Sequence, residues 1–236
     1  MNAAAREDIF LPCLRSLALF DGQEDELVRF LTAKSELVEA GKGDVICEKG
    51  NQPFGLFCVL LGSVKLAVIS HHGNERVMEI AGPGDMFGEA SMFLEQPFPA
   101  YAEALVKTQL VLFRRGVIMD AIRTYPEFAF RLLSGMSNRV LRLVRDVEIC
   151  CLQPASDRVL SFLLDNATGC RGSRQRADVV LPAGKAVIAS NLNLTPETFS
   201  RELHQLADRG LISVDRRTIR IHDLPALRGL LMRADA

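Results

Sequence analysis

Glu197, Ser200, Arg201 and His204 recur at intervals of 3, 1 and 3, the spacing that puts side chains on one face of a helix. Each of these types has a use at the edge of a base pair. An arginine can donate two hydrogen bonds to guanine, a carboxylate can accept from cytosine N4, and a serine can bond a base or pack on a thymine methyl. The competing reading is an ordinary solvent-exposed pair between Glu197 and Arg201, four residues apart. Phe199, Leu203 and Leu206 interleave at spacings of 4 and 3 and make the opposite, core-facing stripe. Thr195 is a good N-cap, Pro196 suits the first helical position, and Glu197 stands just behind it. A helix is therefore expected over 196–209, with Thr195, Glu197, Ser200, Arg201 and His204 as candidate DNA contacts.

Such a helix needs a scaffold, and the neighbouring segments supply one. A helix is expected over 185–192, with Ala189 small enough for a close helix crossing, Asn193 in the turn and Leu194 pointing inward. Downstream, 212–215 and 218–221 make a hairpin turning at Arg216-Arg217, followed by a helix over 224–233. Upstream come a helix over 156–166 and a strand over 179–181. Helix, strand, helix, turn, helix, hairpin is the order of a winged helix-turn-helix. Pro154 marks its upstream boundary. From there onward the chain holds 12 Lys and Arg against 9 Asp and Glu, a net +3, and the remainder carries −4 of the overall −1. The basic share falls on the part expected to meet DNA.

The first half has a different texture. A short helix is expected over 24–32. Strand-like runs follow at 36–38, 45–47, 56–61, 63–70, 76–80, 102–104 and 109–114. Gly41, Gly43, Gly50, Gly62, Gly73, Gly82 and Gly84 separate them, and His72-Gly73-Asn74 reads as a hairpin tip. Many short strands with regular glycine turns indicate an antiparallel β-barrel or jelly roll. After Arg115 the pattern turns helical, and one long helix is expected over 126–151. Within it Leu133, Met136, Val140, Leu143, Val147 and Cys150 are spaced 3, 4, 3, 4, 3, a coiled-coil seam. Dimerisation is favoured over packing on the chain's own domain, with Leu133, Met136, Val140, Leu143 and Val147 as the interface. The fold class is α+β, divided as 1–125 (β-barrel sensor), 126–153 (dimerisation helix) and 154–236 (winged helix-turn-helix).

Composition removes several function classes. With 236 residues, 48% hydrophobic and 24% charged, the chain is a globular protein. It has no apolar run long enough to span a bilayer and no signal-peptide pattern at Met1–Asp8, so a cytoplasmic protein without membrane contact is expected. The six cysteines (Cys13, Cys47, Cys58, Cys150, Cys151 and Cys170) form no CxxC pair and no metal-ligand spacing. No metal site is expected. Nor is there a nucleophile–base constellation or a P-loop, so the chain is not read as an enzyme.

The stretch PETFSR (196–201) resembles the E-x-x-S-R recognition helix of the fumarate–nitrate-regulator branch of the Crp/Fnr superfamily. GDMFGEASMF (84–93) looks like the G-D-x-F-G-E motif of that superfamily's barrel. The resemblance covers nearly the whole chain and is closest to the nitric-oxide-responsive regulators of dissimilatory nitrate respiration, the Dnr group. It implies a homodimeric transcription activator that binds double-stranded DNA at a palindrome of TTGAT-type half-sites, read by Glu197, Ser200 and Arg201, with RNA polymerase as a partner.

The same resemblance places an effector slot at Phe87, Gly88, Glu89, Met92, Pro99 and Ala100. Cyclic-AMP-binding relatives carry an Arg-Ser pair for the phosphate where this chain has Pro99-Ala100, so cAMP is not the expected ligand. Glu89 is then left as a structural acceptor for backbone N–H groups. The cysteine-ligated iron–sulfur cluster of some relatives lacks its spaced N-terminal cysteines here and is not expected. Haem, as a nitric oxide sensor, is what the Dnr group implies; Cys13, Cys58, His71 and His72 are the ligand candidates, and none has diagnostic spacing. The apolar interior formed by Leu56, Val59, Leu61, Val64, Leu66, Met86, Phe87, Met92 and Phe93 suits either a flat ligand or a packed core. Two further readings are a cyclic-nucleotide-responsive regulator and a thiol switch through Cys150-Cys151.

Overall fold

The computed structural model describes residues 14–15, 18–20, 22, 24–52, 55–70, 72–171 and 176–232, with all their side chains except those of Ala18, Cys170, Arg171 and Met232. Cys13 and His71 fall outside these residues. The chain forms two compact units, Met1–Leu141 and Arg142–Ala236, whose boundary lies inside one long helix.

In the first unit, eight strands make two antiparallel four-stranded sheets: β1 (Glu36–Ala40), β2 (Val45–Cys47), β3 (Gly55–Leu61), β4 (Val64–Ile69), β5 (Glu75–Ala81), β6 (Met86–Phe87), β7 (Tyr101–Ala104) and β8 (Thr108–Arg114). The order β1-β8-β3-β6 faces the order β2-β7-β4-β5, a jelly-roll arrangement of two open sheets. Helices α1 (Asp25–Ala33), α2 (Glu89–Leu94) and α3 (Arg115–Thr124) complete the unit, together with the first part of α4 (Pro126–Leu152).

The β3 run GLFCVLL is apolar without alternation because both of its faces are covered. Side chains of a strand alternate between faces. Phe57 and Val59 enter the layer between the sheets, with Cys47, Val64, Leu66, Phe87, Leu110 and Leu112. Leu56, Cys58 and Leu60 point the other way, into a second layer with Val111 and Phe113 of β8 and with Leu27, Leu31, Met92, Ile118 and Phe128 from the flanking helices. The apolar residues grouped above as one interior therefore divide. Val59, Val64, Leu66 and Phe87 lie between the sheets. Leu56, Met86, Met92 and Phe93 belong to the helix-covered layer, and Leu61 is 58% exposed. Thr108 ties the turn between β3 and β4 by accepting from Ser63 N–H at 3.2 Å.

Helix α4 begins with Pro126 and covers the first unit with Phe128 and Leu132. The second unit holds its C-terminal part, then α5 (Ala155–Asp165), β9 (Thr168–Arg171), β10 (Arg176–Val180), α6 (Lys185–Asn191), α7 (Pro196–Asp208), β11 (Ile212–Asp215), β12 (Thr218–Ile221) and α8 (Leu224–Met232). The strand order is β11-β12-β10-β9, all antiparallel. Val159, Leu163, Val179, Ile188, Phe199, Leu203, Ile219 and Leu227 fill the core beneath it. Phe199 is fully buried, with its ring edge-on to Phe162 at 6.4 Å. Burial on that scale contributes roughly 2–3 kcal/mol.

Candidate DNA interface and effector slot

Helix α7 is set by its first turn. Thr195 has extended backbone (φ −78°, ψ 154°), and its Oγ1 accepts the Thr198 N–H at 3.2 Å, with Pro196 next. This is the capping arrangement read from Thr195-Pro196. The turn before it holds Asn193 in the left-handed region, φ +58°, and Leu194 N–H donates to Ala189 O at 2.8 Å. Ala189 is fully buried at that crossing. Leu194 is half-buried.

With Phe199, Leu203 and Leu206 buried, the structure brings Glu197, Ser200, Arg201 and His204 together on the outer face; Ser200 is half-buried, the other three exposed. Arg201 leans on Glu202 at 3.5 Å rather than on Glu197, and an exposed pair of that length is worth little. The guanidinium is thus available to a base edge. Glu197 accepts from its own backbone N–H and interacts with Thr195, which holds its carboxyl below the usual range and keeps it charged. The His204 ring rests on Ser200 O through Nδ1 at 2.7 Å.

Two cations that carried no assigned role stand beside this helix in the sequence order of a wing. Arg216 and Arg217 form the exposed tip between β11 and β12, with Arg216 at φ +52°. Arg220 pairs with Asp215 at 3.9 Å.

In the first unit, Gly88 takes φ +91°, and a Cβ there would stand 2.8 Å from Gly55 O, so only glycine fits. It delivers Glu89 to the first position of α2, with 7% of the residue exposed. Among the described residues, Glu89 does not serve as an acceptor for backbone N–H groups: its Oε1 accepts from Arg139 Nη1 at 2.6 Å, and its Oε2 is buried without a hydrogen-bond partner. Arg139 also donates to Met86 O at 3.1 Å, and its Nη2 is 2.6 Å from Glu79 Oε2. Burial works against the guanidinium's charge, but Glu89 and Glu79 outweigh it and raise its pKa.

Phe87 lies between the sheets while Met92 lies in the other layer, so the expected slot residues do not all line one space. Pro99 is exposed and Ala100 half-buried, and neither side chain carries a group for an anion. Arg139 was missed because it sits 50 residues from Glu89 and its helix position alone reads as an outward face.

Along α4, Leu133, Val140 and Val147 are exposed, but Met136 is half-covered. Leu141, Val144 and Phe130, outside the expected seam, are exposed as well as Leu143. No helix among the described residues is long and apolar enough to cross a membrane.

Residues 37–125 match the family model of the cyclic nucleotide-binding domain, and residues 157–230 match that of the Crp-like helix-turn-helix domain. The nitrogen fixation regulation protein FixK of Rhizobium meliloti is 32% identical over 190 residues, covering 80% of this chain and 83% of that protein. The structure of FixK2 from Bradyrhizobium japonicum superposes with a TM-score of 0.74 at 23% identity, covering 83% of this chain and 96% of the other. That of DNR from Pseudomonas aeruginosa is 30% identical, with a TM-score of 0.50 over 94% of this chain and 97% of the other. The Rhizobium relative is a regulation protein, and the two family matches span both units. The chain belongs to the Crp/Fnr family of DNA-binding transcription regulators.

Proposed function

We propose that this protein binds, as a homodimer, a palindrome of TTGAT-type half-sites, and that Glu197, Ser200 and Arg201 of each copy read one half. The observation that carries this reading is the outer face of a Thr195-capped α7, where Glu197 stays charged and Arg201 has only a weak partner. Two copies related by a two-fold axis present equivalent helices, and both half-sites can be read when the helices lie about one DNA turn, roughly 34 Å, apart. The exposed apolar face of α4 supplies the surface for pairing. Bound at a promoter, the dimer acts on RNA polymerase.

The effector reading rests on the slot at Glu89. Pro99-Ala100 offers no counter-charge to a cyclic phosphate, and leaving that charge unpaired in a buried site is costly. Grouping with the Dnr regulators, which the 30% identity to DNR favours, implies haem. The described candidate ligands do not fit it. Burial pushes the Cys58 thiol up to about 12, so it stays protonated, and His72 stands at an exposed hairpin tip. The buried Glu89 Oε2, without a partner among the described residues, favours a small molecule that donates a hydrogen bond to Glu89 and so competes with Arg139.

The test is binding of purified protein to a TTGAT palindrome and to a scrambled duplex at fixed salt, alone and with haemin plus nitric oxide or with cAMP. Arg201→Ala is expected to cost about 1–3 kcal/mol per half-site and to blur sequence preference. Equal loss on palindrome and scrambled DNA would contradict the base-reading role. A haemin–nitric oxide complex that tightens binding, or a cAMP response, would overturn the effector reading and leave the DNA reading in place.

A further inference from the structure

Helix α4 ends at Leu152, and the carbonyl of Gln153 just beyond it faces one side chain from the next helix. Arg158 Nε donates to Gln153 O at 2.9 Å. Its Nη1 donates to two more carbonyls, Leu192 O at 3.3 Å and Asn193 O at 3.0 Å. Those carbonyls follow the C-terminus of α6, in the turn that leads to α7. One guanidinium therefore joins the C-terminal ends of two helices. Both ends carry unsatisfied carbonyls and the negative pole of a helix dipole, so a cation there is favoured on both sides. A planar, forked donor reaches both at once, which a single ammonium cannot.

Asn193 is also the left-handed residue of the helix-turn-helix, φ +58°. A non-glycine residue there persists only when its surroundings hold it. Arg158 holds its carbonyl. A second tie runs from the side of α4, where Arg145 Nη2 meets both carboxylate oxygens of Asp165 at 3.2 Å. That pair is exposed and contributes little by itself. Arg158 is half-buried and spans the turn that sets the approach of α7.

We propose that Arg158 is the positioning residue that locks the recognition helix to the end of the long helix. It touches no DNA in this role. It makes the angle of α7 follow α4, so that whatever sets α4 in the dimer also sets the separation of the two reading helices.

The experiment has two arms, and only the second rests on the DNA reading proposed above. The first places spin labels, carried on unnatural amino acids, at Glu148 on α4 and Asp208 on α7, in the full-length protein. The distribution of label–label distances is measured for the parent, Arg158→Ala and Arg158→Lys. Arg158→Ala is expected to broaden the distribution about twofold, and Arg158→Lys, which keeps the charge but not the fork, to fall between. An unchanged width in Arg158→Ala would overturn the proposal, whatever its melting temperature. The second arm measures binding to the palindrome, to a single half-site, and to palindromes with half-sites moved by one and two base pairs. Loss of the lock lowers affinity for the correctly spaced palindrome about tenfold and flattens the spacing preference, with half-site affinity changed less than about threefold. Equal losses on all four DNAs mark a merely structural role and also overturn it. Failure of the parent to prefer any palindrome would sink the DNA reading and leave the distance arm to decide Arg158.

Discussion

Arg139 on the long helix donates to the buried carboxylate of Glu89 at 2.6 Å, joining α4 to the first turn after Gly88. With Glu79 on the same guanidinium, two carboxylates share one cation, and all three side chains are 20% exposed or less. Removing the cation leaves two buried like charges facing each other. Arg139→Ala should therefore destabilise the first unit by about 3 kcal/mol at neutral pH, the usual scale for a buried pair that loses one partner. Glu89→Gln should cost less, because Glu79 still compensates Arg139. Urea unfolding followed by intrinsic fluorescence of the tyrosines reads both. Equal stability of Arg139→Ala and the parent would show that the carboxylates are not held by this contact.

The wing offers a prediction about salt rather than sequence. Arg216 and Arg217 are exposed at the hairpin tip, and a cation that contacts phosphate there would add affinity without reading a base. Arg217→Ala should weaken palindrome and scrambled DNA alike and lower the slope of log affinity against log salt by about 1. Arg216→Gly should do the same to the slope without loss of melting temperature, since φ +52° suits glycine better than arginine. A loss confined to the palindrome would move these residues from backbone contact to base reading.

Most strands were readable because glycine turns and apolar runs coincide, and the 212–215 and 218–221 hairpin was found to the residue. Thr195-Pro196 is as plain, since capping chemistry is local. What stayed hidden was non-local. Strand β9 (TGCR) offers no apolar alternation, and α2 is only six residues long, too short for a helical period to show around Glu89. The side of the sheet on which Met92 packs depends on how α2 lies against β3, which no spacing within 84–93 encodes. The Arg139–Glu89 contact joins positions 50 apart, and the face it uses is defined only once α4 docks.

Acid should expose a second network, on the outer side of the β4–β5–β7 sheet. Lys65 lies 2.8 Å from Glu75 and 3.1 Å from Glu103, with its side chain 9% exposed, and the Tyr101 hydroxyl also donates to Glu75. Burial raises the Glu75 pKa, but the hydrogen bonds from Lys65 and Tyr101 overcome it and hold the carboxyl below its ordinary 4.5. A carboxyl depressed on folding contributes stability that is complete above its unfolded value and is lost as pH falls through its folded value. Lys65 is shifted the other way: burial opposes its charge, the two glutamates outweigh it, and its contribution persists until strongly alkaline pH. Stability to urea should thus fall as pH drops below about 4.5, and Glu75→Gln should flatten that fall while lowering stability at pH 7. The same acid slope in Glu75→Gln as in the parent would assign the transition to other carboxyls.

The long helix is where two copies are expected to meet. Residues 141–148 are exposed on every side in the single chain, with Leu141, Leu143, Val144 and Val147 between 38% and 68% accessible. A helical stretch left this open is marginal in water, so a second α4 is the natural cover. Two seams are possible. The spacing Leu133, Met136, Val140, Leu143, Val147, Cys150 puts Cys150 at the interface. Exposure favours a seam turned slightly, Leu133, Ser137, Val140, Val144, Val147, Cys151, because Met136 and Cys150 are half-covered while Val144 and Cys151 are open. In the turned seam Val144→Asp should dissociate the dimer in sedimentation more than Leu143→Asp does. Diamide, which takes two protons and two electrons from a pair of thiols, should then cross-link Cys151 to Cys151 of a second copy, and Cys151→Ser should abolish the cross-link while Cys150→Ser keeps it. The reverse pattern in both measurements would restore the seam through Met136, Leu143 and Cys150.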